Sequence, residues 1–240
     1  METAISVHKL EKSYGPKKAV DGVSFDVKRG TIFGLLGHNG AGKSTTLECI
    51  LGTKAFEKGS VLLLGQSPHN NRKALFQRVG VQFQSAAYPA RIRVREVCEI
   101  TASLYRANPD WRSMLEEFGL ADKHLSPVDS LSGGERQKLD IVLAVMHRPE
   151  VVFLDELTTG LDPMARRGVW KYIRTLKDGG TTVLLTSHYM DEVEHLCEEI
   201  AIMKQGRIVA GGTVKQVIEQ SGTHCMDDAF LHFAREEEAV

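Results

Sequence analysis

A glycine-rich stretch at residues 37–45 has the residue types and spacing of a phosphate-binding loop. It runs GHNGAGKST and fits the pattern G-x-x-x-x-G-K-[ST]. In such a loop the glycines let the backbone curl, so that successive N–H groups point inward and bind anionic oxygens. The predicted cradle consists of Gly37, His38, Asn39, Gly40, Ala41, Gly42, Lys43, Ser44 and Thr45. The pattern therefore predicts binding of a nucleoside triphosphate.

The segments on either side of this loop supply the strand and the helix that it needs. Residues 31–36 are short and apolar enough for a buried strand, and residues 46–51 read as a helix, which we expect to begin at Ser44. The dipole at that helix start favours a bound anion. Lys43 would reach the β- and γ-phosphates, and the Ser44 hydroxyl would occupy one Mg²⁺ position. The alternative, a glycine-rich turn with a solvated lysine, does not explain the flanking strand and helix.

Two adjacent carboxylates lie at the end of a second apolar segment. Residues 151–154 are apolar and rich in strand-forming residues, and Asp155 and Glu156 follow them directly. In open α/β sheets, ligands bind at the carboxyl ends of the strands. We therefore expect Asp155 to hold Mg²⁺, directly or through water, and Glu156 to polarise the attacking water. In a chain without a phosphate-binding loop, the same acids would be ordinary surface residues.

Three further polar side chains have both a functional and a structural interpretation. Tyr14 lies upstream of the loop, where it can stack on a nucleobase or be an exposed residue of an edge strand. Gln84 ends a predicted strand at 79–84 and can reach Mg²⁺ or an attacking water, although such a residue is usually only a polar strand end. His188 follows another buried strand, and a γ-phosphate contact competes there with a structural role. We expect Gln84, Glu156 and His188 to share one sheet edge.

The run LSGG at residues 131–134 precedes a helix with one apolar face. Ser132 is a candidate N-cap, and Glu135, three residues on, completes a capping box. The competing interpretation is a second anion site, because Ser132, Gly133 and Gly134 expose backbone N–H groups at a positive helix end. The local sequence leaves both interpretations open.

The composition is that of an ordinary soluble globular chain. Of its 240 residues, 42% are hydrophobic and 25% are charged, and the formal net charge is −1. A net charge this close to zero gives no sign of the basic surface that binds nucleic acid or of a polybasic membrane anchor. The cysteines form no C-x-x-C pair, and the longest apolar run, residues 141–146, is too short to span a membrane. With no apolar leader, we expect a cytoplasmic chain that neither inserts into the membrane nor binds nucleic acid.

The order of strand and helix patterns predicts a single α/β domain. Strand signals and helices alternate over residues 1–85 and again over 147–212, as in an α/β core, with a short helix expected over 71–78. Between these parts, residues 86–146 carry apolar residues at helical spacing, which predicts an inserted helical lobe. Residues 213–240 are expected to form a helical tail.

Together these motifs resemble the ATP-binding subunits of ABC transporters, and the resemblance covers nearly the whole chain. The LSGG run is the specific element, because it separates this family from other P-loop proteins. The resemblance implies a P-loop NTPase core sheet with an N-terminal antiparallel β subdomain and an inserted α-helical subdomain. It also implies that the chain hydrolyses ATP with Mg²⁺ and works with an integral-membrane permease.

The resemblance gives each candidate side chain a role. Tyr14 then stacks on adenine, and Gln84 links Mg²⁺ to the membrane partner. Glu156 is the general base, and His188 holds the γ-phosphate. The family also implies a head-to-tail dimer, either a homodimer or a heterodimer with a related ATPase subunit. In that dimer, residues 132–134 of one subunit close over the ATP that the P-loop of the other subunit binds.

Within the family, three segments look like those of drug, antibiotic and lipid exporters whose permease is a separate polypeptide. They are residues 153–163, 186–192 and 227–231. The chain departs from the usual pattern where Glu135 replaces a glutamine of the signature and where Leu157 replaces the proline after the catalytic glutamate. Both positions lie beside the expected phosphate contacts, so they affect the expected rate and subunit geometry rather than the chemistry. Such a subunit would sit on the inner face of the cell membrane, bound through its permease.

Two other classes of protein remain as rivals. A soluble ATP-driven clamp of the same superfamily usually carries a coiled-coil insertion or a second ATPase domain, and this sequence has neither. A P-loop kinase would transfer phosphate to a small acceptor, and the LSGG run argues against it.

Overall fold

The structure is a computed structural model that describes residues 2–83, 87–158 and 160–234. Its strands, in chain order, are β1 (Thr3–Tyr14), β2 (Lys17–Lys28), β3 (Ile32–Leu36), β4 (Lys58–Leu63), β5 (Val79–Gln82), β6 (Val151–Asp155), β7 (Thr182–Ser187), β8 (Glu199–Lys204) and β9 (Arg207–Thr213). Its helices are α1 (Lys43–Ile50), α2 (Pro68–Leu75), α3 (Val94–Ser103), α4 (Trp111–Glu117), α5 (Gly133–Val145), α6 (Pro163–Asp178), α7 (Met190–Leu196), α8 (Val214–Ser221) and α9 (Met226–Ala234).

The strands form two sheets. Strands β2, β1 and β4 pair in that order as an antiparallel sheet. The larger sheet has the order β5-β6-β7-β3-β8-β9, with parallel pairing from β5 to β8 and an antiparallel β9 at the edge. Because the central strands are parallel, their carboxyl ends meet at one edge, where Leu36 pairs with Ser187 and Asp155 pairs with Thr186. The predicted site residues after β3, β6 and β7 are therefore neighbours.

Strands β3, β6 and β7 are buried along their whole length. They pack between helices on one side and the antiparallel sheet on the other, so they read as continuous apolar runs rather than alternating ones. In β2, by contrast, Val23 and Val27 are buried while their neighbours Ser24 and Asp26 are exposed. The two sequence patterns therefore correspond to two different positions in the fold.

Local capping residues set the starts of two helices. The Asp110 side chain accepts hydrogen bonds from the backbone N–H groups of Arg112 and Ser113 at the start of α4. The Asp162 side chain caps α6 in the same way, and Pro163 occupies the first turn of that helix. Residues next to each helix in the sequence therefore set where α4 and α6 begin.

Other element ends differ from the prediction. The predicted helix over 71–78 is wrong in its bounds: α2 begins at Pro68, Asn71 has the non-helical φ of −124°, and the helix ends at Leu75. Helix α1 begins at Lys43 rather than at Ser44. Strand β5 ends at Gln82, before the predicted end at Gln84.

Helix α5 lies directly against the backbone of β5. A Cβ built on Gly80 would lie 2.0 Å from the carbonyl oxygen of Ala144 in α5 and 3.1 Å from the Pro149 ring. No side chain fits into such a contact, so the glycine lets the helix pack on the strand at backbone distance. The position of α5 on the sheet therefore depends on Gly80.

We expect Gly80→Ala to destabilise the protein by about 1–3 kcal/mol or more, because the helix must move away from the strand. Urea unfolding measures the change. The matched control is Gly168→Ala in α6, where a Cβ meets nothing within 4 Å. That change should stabilise by roughly 0.5–1 kcal/mol, because alanine loses less backbone entropy in a helix. Equal stability of Gly80→Ala and the wild type would contradict the packing argument.

Candidate nucleotide-binding site

The glycine-rich loop follows β3 and lies at the junction of the two sheets. Gly37 and Gly42 have φ values of 152° and 107°, which favour glycine. A Cβ on Gly37 would lie 2.5 Å from the carbonyl oxygen of Met203 in β8, and one on Gly42 would lie 2.3 Å from the carbonyl oxygen of Ala19 in β2. Both positions require glycine, because the backbone has a positive φ and because a neighbouring carbonyl oxygen leaves no room for a side chain. These contacts fix the position of the loop between β2 and β8.

The side chain of Lys43 lies on the inside of the loop. Its side chain is buried, and its ammonium group donates hydrogen bonds to the carbonyl oxygens of Gly37 at 2.7 Å and His38 at 3.2 Å. Burial lowers the pKa of Lys43, and the charges of Glu156 and Asp155 oppose that shift. Phosphate oxygens can take the place of the two carbonyl oxygens, because a buried ammonium gains more from an anion than from a neutral acceptor.

A cleft of about 420 Å³ opens beside the loop, within the range of ligand-binding pockets. Its walls come from the β1–β2 hairpin, the loop, the first turn of α1 and the segment after β6. The described residues that border it are Tyr14, Lys17, Ala19, Asn39, Gly40, Gly42, Lys43, Ser44, Thr45 and Glu156. The cleft combines Lys43 and a helix start with the aromatic ring and the lysine of the β1–β2 hairpin, an arrangement that suits a nucleoside polyphosphate.

Tyr14 ends β1 at the rim of this cleft, with 46% of its surface exposed. The ammonium groups of Lys12 and Lys54 lie 5.3 and 5.8 Å from its ring centroid. Glu57 fixes Lys12 through a contact of 2.9 Å and also accepts the backbone N–H of Ser13 at 2.9 Å. These contacts orient the hairpin end, so the ring is available for stacking on a base.

Asp155 and Glu156 are adjacent at the sheet edge but have different environments. Asp155 is 7% exposed, accepts a short hydrogen bond from the Thr186 hydroxyl, and donates its backbone N–H to the Gln82 side chain at 3.1 Å. Glu156 has the left-handed φ of 50°, and its backbone N–H donates to the Thr186 hydroxyl at 3.0 Å. A non-glycine residue in this conformation costs on the order of 1–3 kcal/mol, and such strain concentrates at functional sites. The turn brings Glu156 to the wall of the cleft.

His188 lies next to Glu156, as the sequence predicted. Its Nδ1 is 3.7 Å from a carboxylate oxygen of Glu156, and 39% of its side chain is exposed. The expectation that these two residues share one sheet edge is therefore confirmed. Gln84, the third residue of that prediction, lies outside the described residues, so its predicted place stays a prediction.

The oxygen donors fit a magnesium ion. Ser44 is exposed in the first turn of α1, and Asp155 is close enough to Lys43 for its charge to raise the pKa of that ammonium. Mg²⁺ prefers hard oxygen ligands, usually one or two from the protein with the remainder from substrate phosphates and water. Ser44 and Asp155 can supply that protein share.

The start of α5 confirms the capping interpretation of the LSGG run. The Ser132 hydroxyl accepts the backbone N–H of Glu135 at 3.3 Å, and the Glu135 carboxylate accepts that of Ser132 at 2.8 Å. Hydrogen bonds from Ser132 lower the pKa of Glu135, and Lys123 also contacts the carboxylate at 3.1 Å. Among the described residues that border the cleft, none belongs to the LSGG run. Ser132, Gly133 and Gly134 do not contribute to the cleft of their own chain, and their predicted anion-binding role stays a prediction.

Sequence reasoning missed two partners of the acids. Gln82 is buried at the end of β5, and Thr186 is buried within β7. For Gln82 the sequence offers a signal, because an amide stands within a short, otherwise apolar strand pattern. Thr186 gave none, because a β-branched residue in a strand is ordinary.

The fold and this cleft define a class: a nucleotide-binding protein with a phosphate loop after a central parallel strand and acids on a neighbouring strand. The sequence profile of the family described as ABC transporter matches residues 20–159, more than half of the chain. The chain therefore belongs to the ABC transporter family of ATP-binding proteins, which are ATPases. The predicted family and fold class are confirmed.

Known relatives cover most of this chain. A daunorubicin resistance ATP-binding protein of Streptomyces coeruleorubidus is 38% identical over 94% of this chain and 73% of its own length. The Nod factor export ATP-binding protein I of Ralstonia nicotianae is 39% identical over 89% of this chain and 68% of its own length. A solved structure of the ATP-binding subunit of an ABC transporter superposes with a TM-score of 0.89 at 26% identity, and covers 96% of this chain and 99% of that one. Across the described ranges of the present chain, every helix falls short of the length and apolarity that crossing a membrane requires.

We expect Tyr14→Ala to raise the Kd for ATP about 5- to 100-fold, because stacking of a base on an aromatic ring is worth roughly 1–3 kcal/mol. Tyr14→Phe should keep the affinity. Titration with a fluorescent ATP analogue measures both. Leu62→Ala is the matched control, because Leu62 is 44% exposed on β4 of the same sheet and does not border the cleft. An unchanged Kd in Tyr14→Ala would refute a stacking role.

Proposed function

We propose that this chain binds and hydrolyses ATP to drive export of a substrate through a separate membrane permease. The observation that carries the hydrolytic part is the position of Glu156 on the wall of the cleft that Lys43 also borders. The names of the relatives, a drug resistance protein and a Nod factor export protein, support the export part. The chain would work on the inner face of the cell membrane, bound through its permease.

Binding of ATP rests on the loop and the hairpin. The backbone N–H groups of residues 37–45 and the ammonium of Lys43 bind the phosphates, and Tyr14 stacks on adenine. Lys43 exchanges its bonds to the carbonyl oxygens of Gly37 and His38 for bonds to the β- and γ-phosphates. Because Lys43 is already buried, this exchange requires little further desolvation.

Hydrolysis rests on Glu156 and His188. The Glu156 carboxylate accepts a proton from the attacking water, and Lys43 stabilises the charge that develops on the phosphate oxygens. His188 contacts the γ-phosphate in this proposal, which its distance of 3.7 Å from Glu156 supports. Ser44, Asp155 and Gln84 are the residues that would hold Mg²⁺, which when bound supplies positive charge to the phosphates.

A second subunit completes the site. Ser132, Gly133 and Gly134 are absent from the cleft of their own chain, and Ser132 and Gly133 are exposed. In a head-to-tail homodimer or heterodimer, these residues close over the ATP of the other subunit. ATP binds the closed dimer preferentially and so stabilises it, by about 2.7 kcal/mol at a hundredfold excess over Kd. The segment after Gln84 and the helical lobe at residues 86–146 then transmit closure to the permease.

We expect Glu156→Gln to lower the ATP hydrolysis rate by about 10²–10⁴-fold, the usual contribution of a general base, while ATP-dependent dimerisation remains. Phosphate release gives the rate, and light scattering with ATP gives the oligomeric state. Glu150→Gln is the matched control: Glu150 directly precedes β6 and pairs with Arg78 rather than bordering the cleft. It should leave the rate nearly unchanged. Wild-type turnover in Glu156→Gln would remove Glu156 from the mechanism.

The transport role has its own test. Purified in mild detergent from the cells that make it, the tagged chain should bring with it a membrane protein of several spans. Reconstitution with that protein should stimulate ATP hydrolysis, with ADP and free phosphate as the products. A chain that hydrolyses ATP but is recovered only as a soluble dimer would instead be an ATP-driven clamp, and transfer of phosphate to an acceptor would indicate a kinase.

A further inference from the structure

His188 belongs to a short stretch, residues 187–192, that we name the switch segment. It runs from the last residue of β7 through His188 to the first turn of α7. Helix α6 packs beside it. That helix follows the segment at residues 156–162, which begins with Glu156 and ends with the Asp162 cap. Helix α6 therefore follows Glu156 along the chain and contacts the segment that contains His188.

Arg166 of α6 makes two contacts with the switch segment. Its guanidinium lies 3.2 Å from the Asp191 carboxylate and 4.3 Å from the ring centroid of Tyr189. The Tyr189 ring in turn lies 4.4 Å from the ring of His188. Arg166 is mostly buried, with 19% of its side chain exposed. A planar guanidinium that both pairs with a carboxylate and stacks on a ring orients its partners more strictly than a mobile ammonium.

Glu192 makes the second connection, from inside the protein. It is 1% exposed, and the indole N–H of Trp170 in α6 donates to its carboxylate at 3.0 Å. Burial raises the pKa of Glu192, and hydrogen bonds from Ser187 and Trp170 oppose the rise. Ser187 precedes His188 and also accepts the backbone N–H of Tyr189 at 3.0 Å. A buried acid without a hydrogen-bond partner would be costly, so the bond from Trp170 favours this position of Glu192.

We propose that Arg166, Trp170 and Glu192 are positioning residues for His188. They bind the switch segment to α6 through Tyr189, Asp191 and Glu192 and so keep the imidazole beside Glu156 at the cleft. This inference rests on the proposed ATPase function. It concerns residues that do not border the cleft, so they act on the hydrolytic step through His188 and leave the binding of ATP to the loop and Tyr14.

The test separates binding from hydrolysis in the full-length chain. We expect Trp170→Phe, which removes the indole N–H, and Arg166→Ala each to slow single-turnover ATP hydrolysis by roughly 10- to 100-fold, the effect of a small misplacement of a reacting group. The Kd for ATP should stay the same in both. Arg167→Ala is the matched control, because Arg167 is exposed on α6 and carries the same charge. It should change neither quantity. Arg166→Ala keeps the test available should Trp170→Phe fail to fold.

A double-mutant cycle with His188→Ala distinguishes positioning from general packing. If Trp170 acts through His188, Trp170→Phe should cause no further loss of single-turnover rate in the His188→Ala background. Additive losses, or a Kd for ATP that worsens in parallel with the rate, would overturn the inference. If the wild type hydrolyses ATP and the rates of Trp170→Phe and Arg166→Ala are unchanged, the positioning inference fails and the proposed function stands. Absence of hydrolysis in the wild type would instead refute the proposed function itself, and the inference with it.

Discussion

The close approach of the glycine-rich loop to two strands is the constraint on which the site depends. The carbonyl oxygens of Ala19 and Met203 occupy the places where side chains on Gly42 and Gly37 would project. The turn between β8 and β9 adds a second connection, because the backbone N–H of Gly206 donates to Ala41 at 2.9 Å and its carbonyl accepts Asp21 at 2.8 Å. The loop therefore joins the antiparallel sheet to the parallel one. The ring at one end of the cleft and the acids at the other are positioned relative to each other through this junction.

The charges around the loop are balanced even in the chain alone. Lys43 is buried but bonded to two carbonyl oxygens, and the nearby carboxylates favour its charged form. Asp155 is buried but accepts the Thr186 hydroxyl. Removing one partner of such a set leaves a buried charge uncompensated, which is costly. The site is thus preorganised for a polyanion, because most of the desolvation occurs when the protein folds.

Much of this arrangement could be predicted from the sequence, because it depends on residues that are close together along the chain. Glycines with positive φ define the loop, Asp110 and Asp162 cap their helices, and Ser132 with Glu135 forms a capping box. Each of these features depends on residues within a few positions of one another. Glu156 and His188 each follow a buried strand. Because these strands are parallel, their carboxyl ends lie at one sheet edge and bring the two residues together, as expected.

The features that were missed depend on contacts between distant residues. Thr186 bonds to Asp155 across two strands, and Trp170 bonds to Glu192 across two helices. Nothing in the spacing of these residues distinguishes a strand threonine or a helical glutamate from its ordinary counterparts. The start of α2 at Pro68 was missed for a different reason: Asn71 interrupts the helical conformation, so the predicted helix begins three residues after the true start.

The contact between Gly80 and Ala144 has a consequence for motion. Strand β5 is four residues long and lies at the edge of the sheet, where β6 is its one partner among the residues that the structure describes. Because α5 touches its backbone without an intervening side chain, the helix cannot slide along the strand or rotate about its own axis without a collision. A swing of α5 relative to the phosphate loop must therefore either separate the helix from the strand or carry β5 with it. Because the backbone of β5 is paired with β6, the sheet itself resists such a swing.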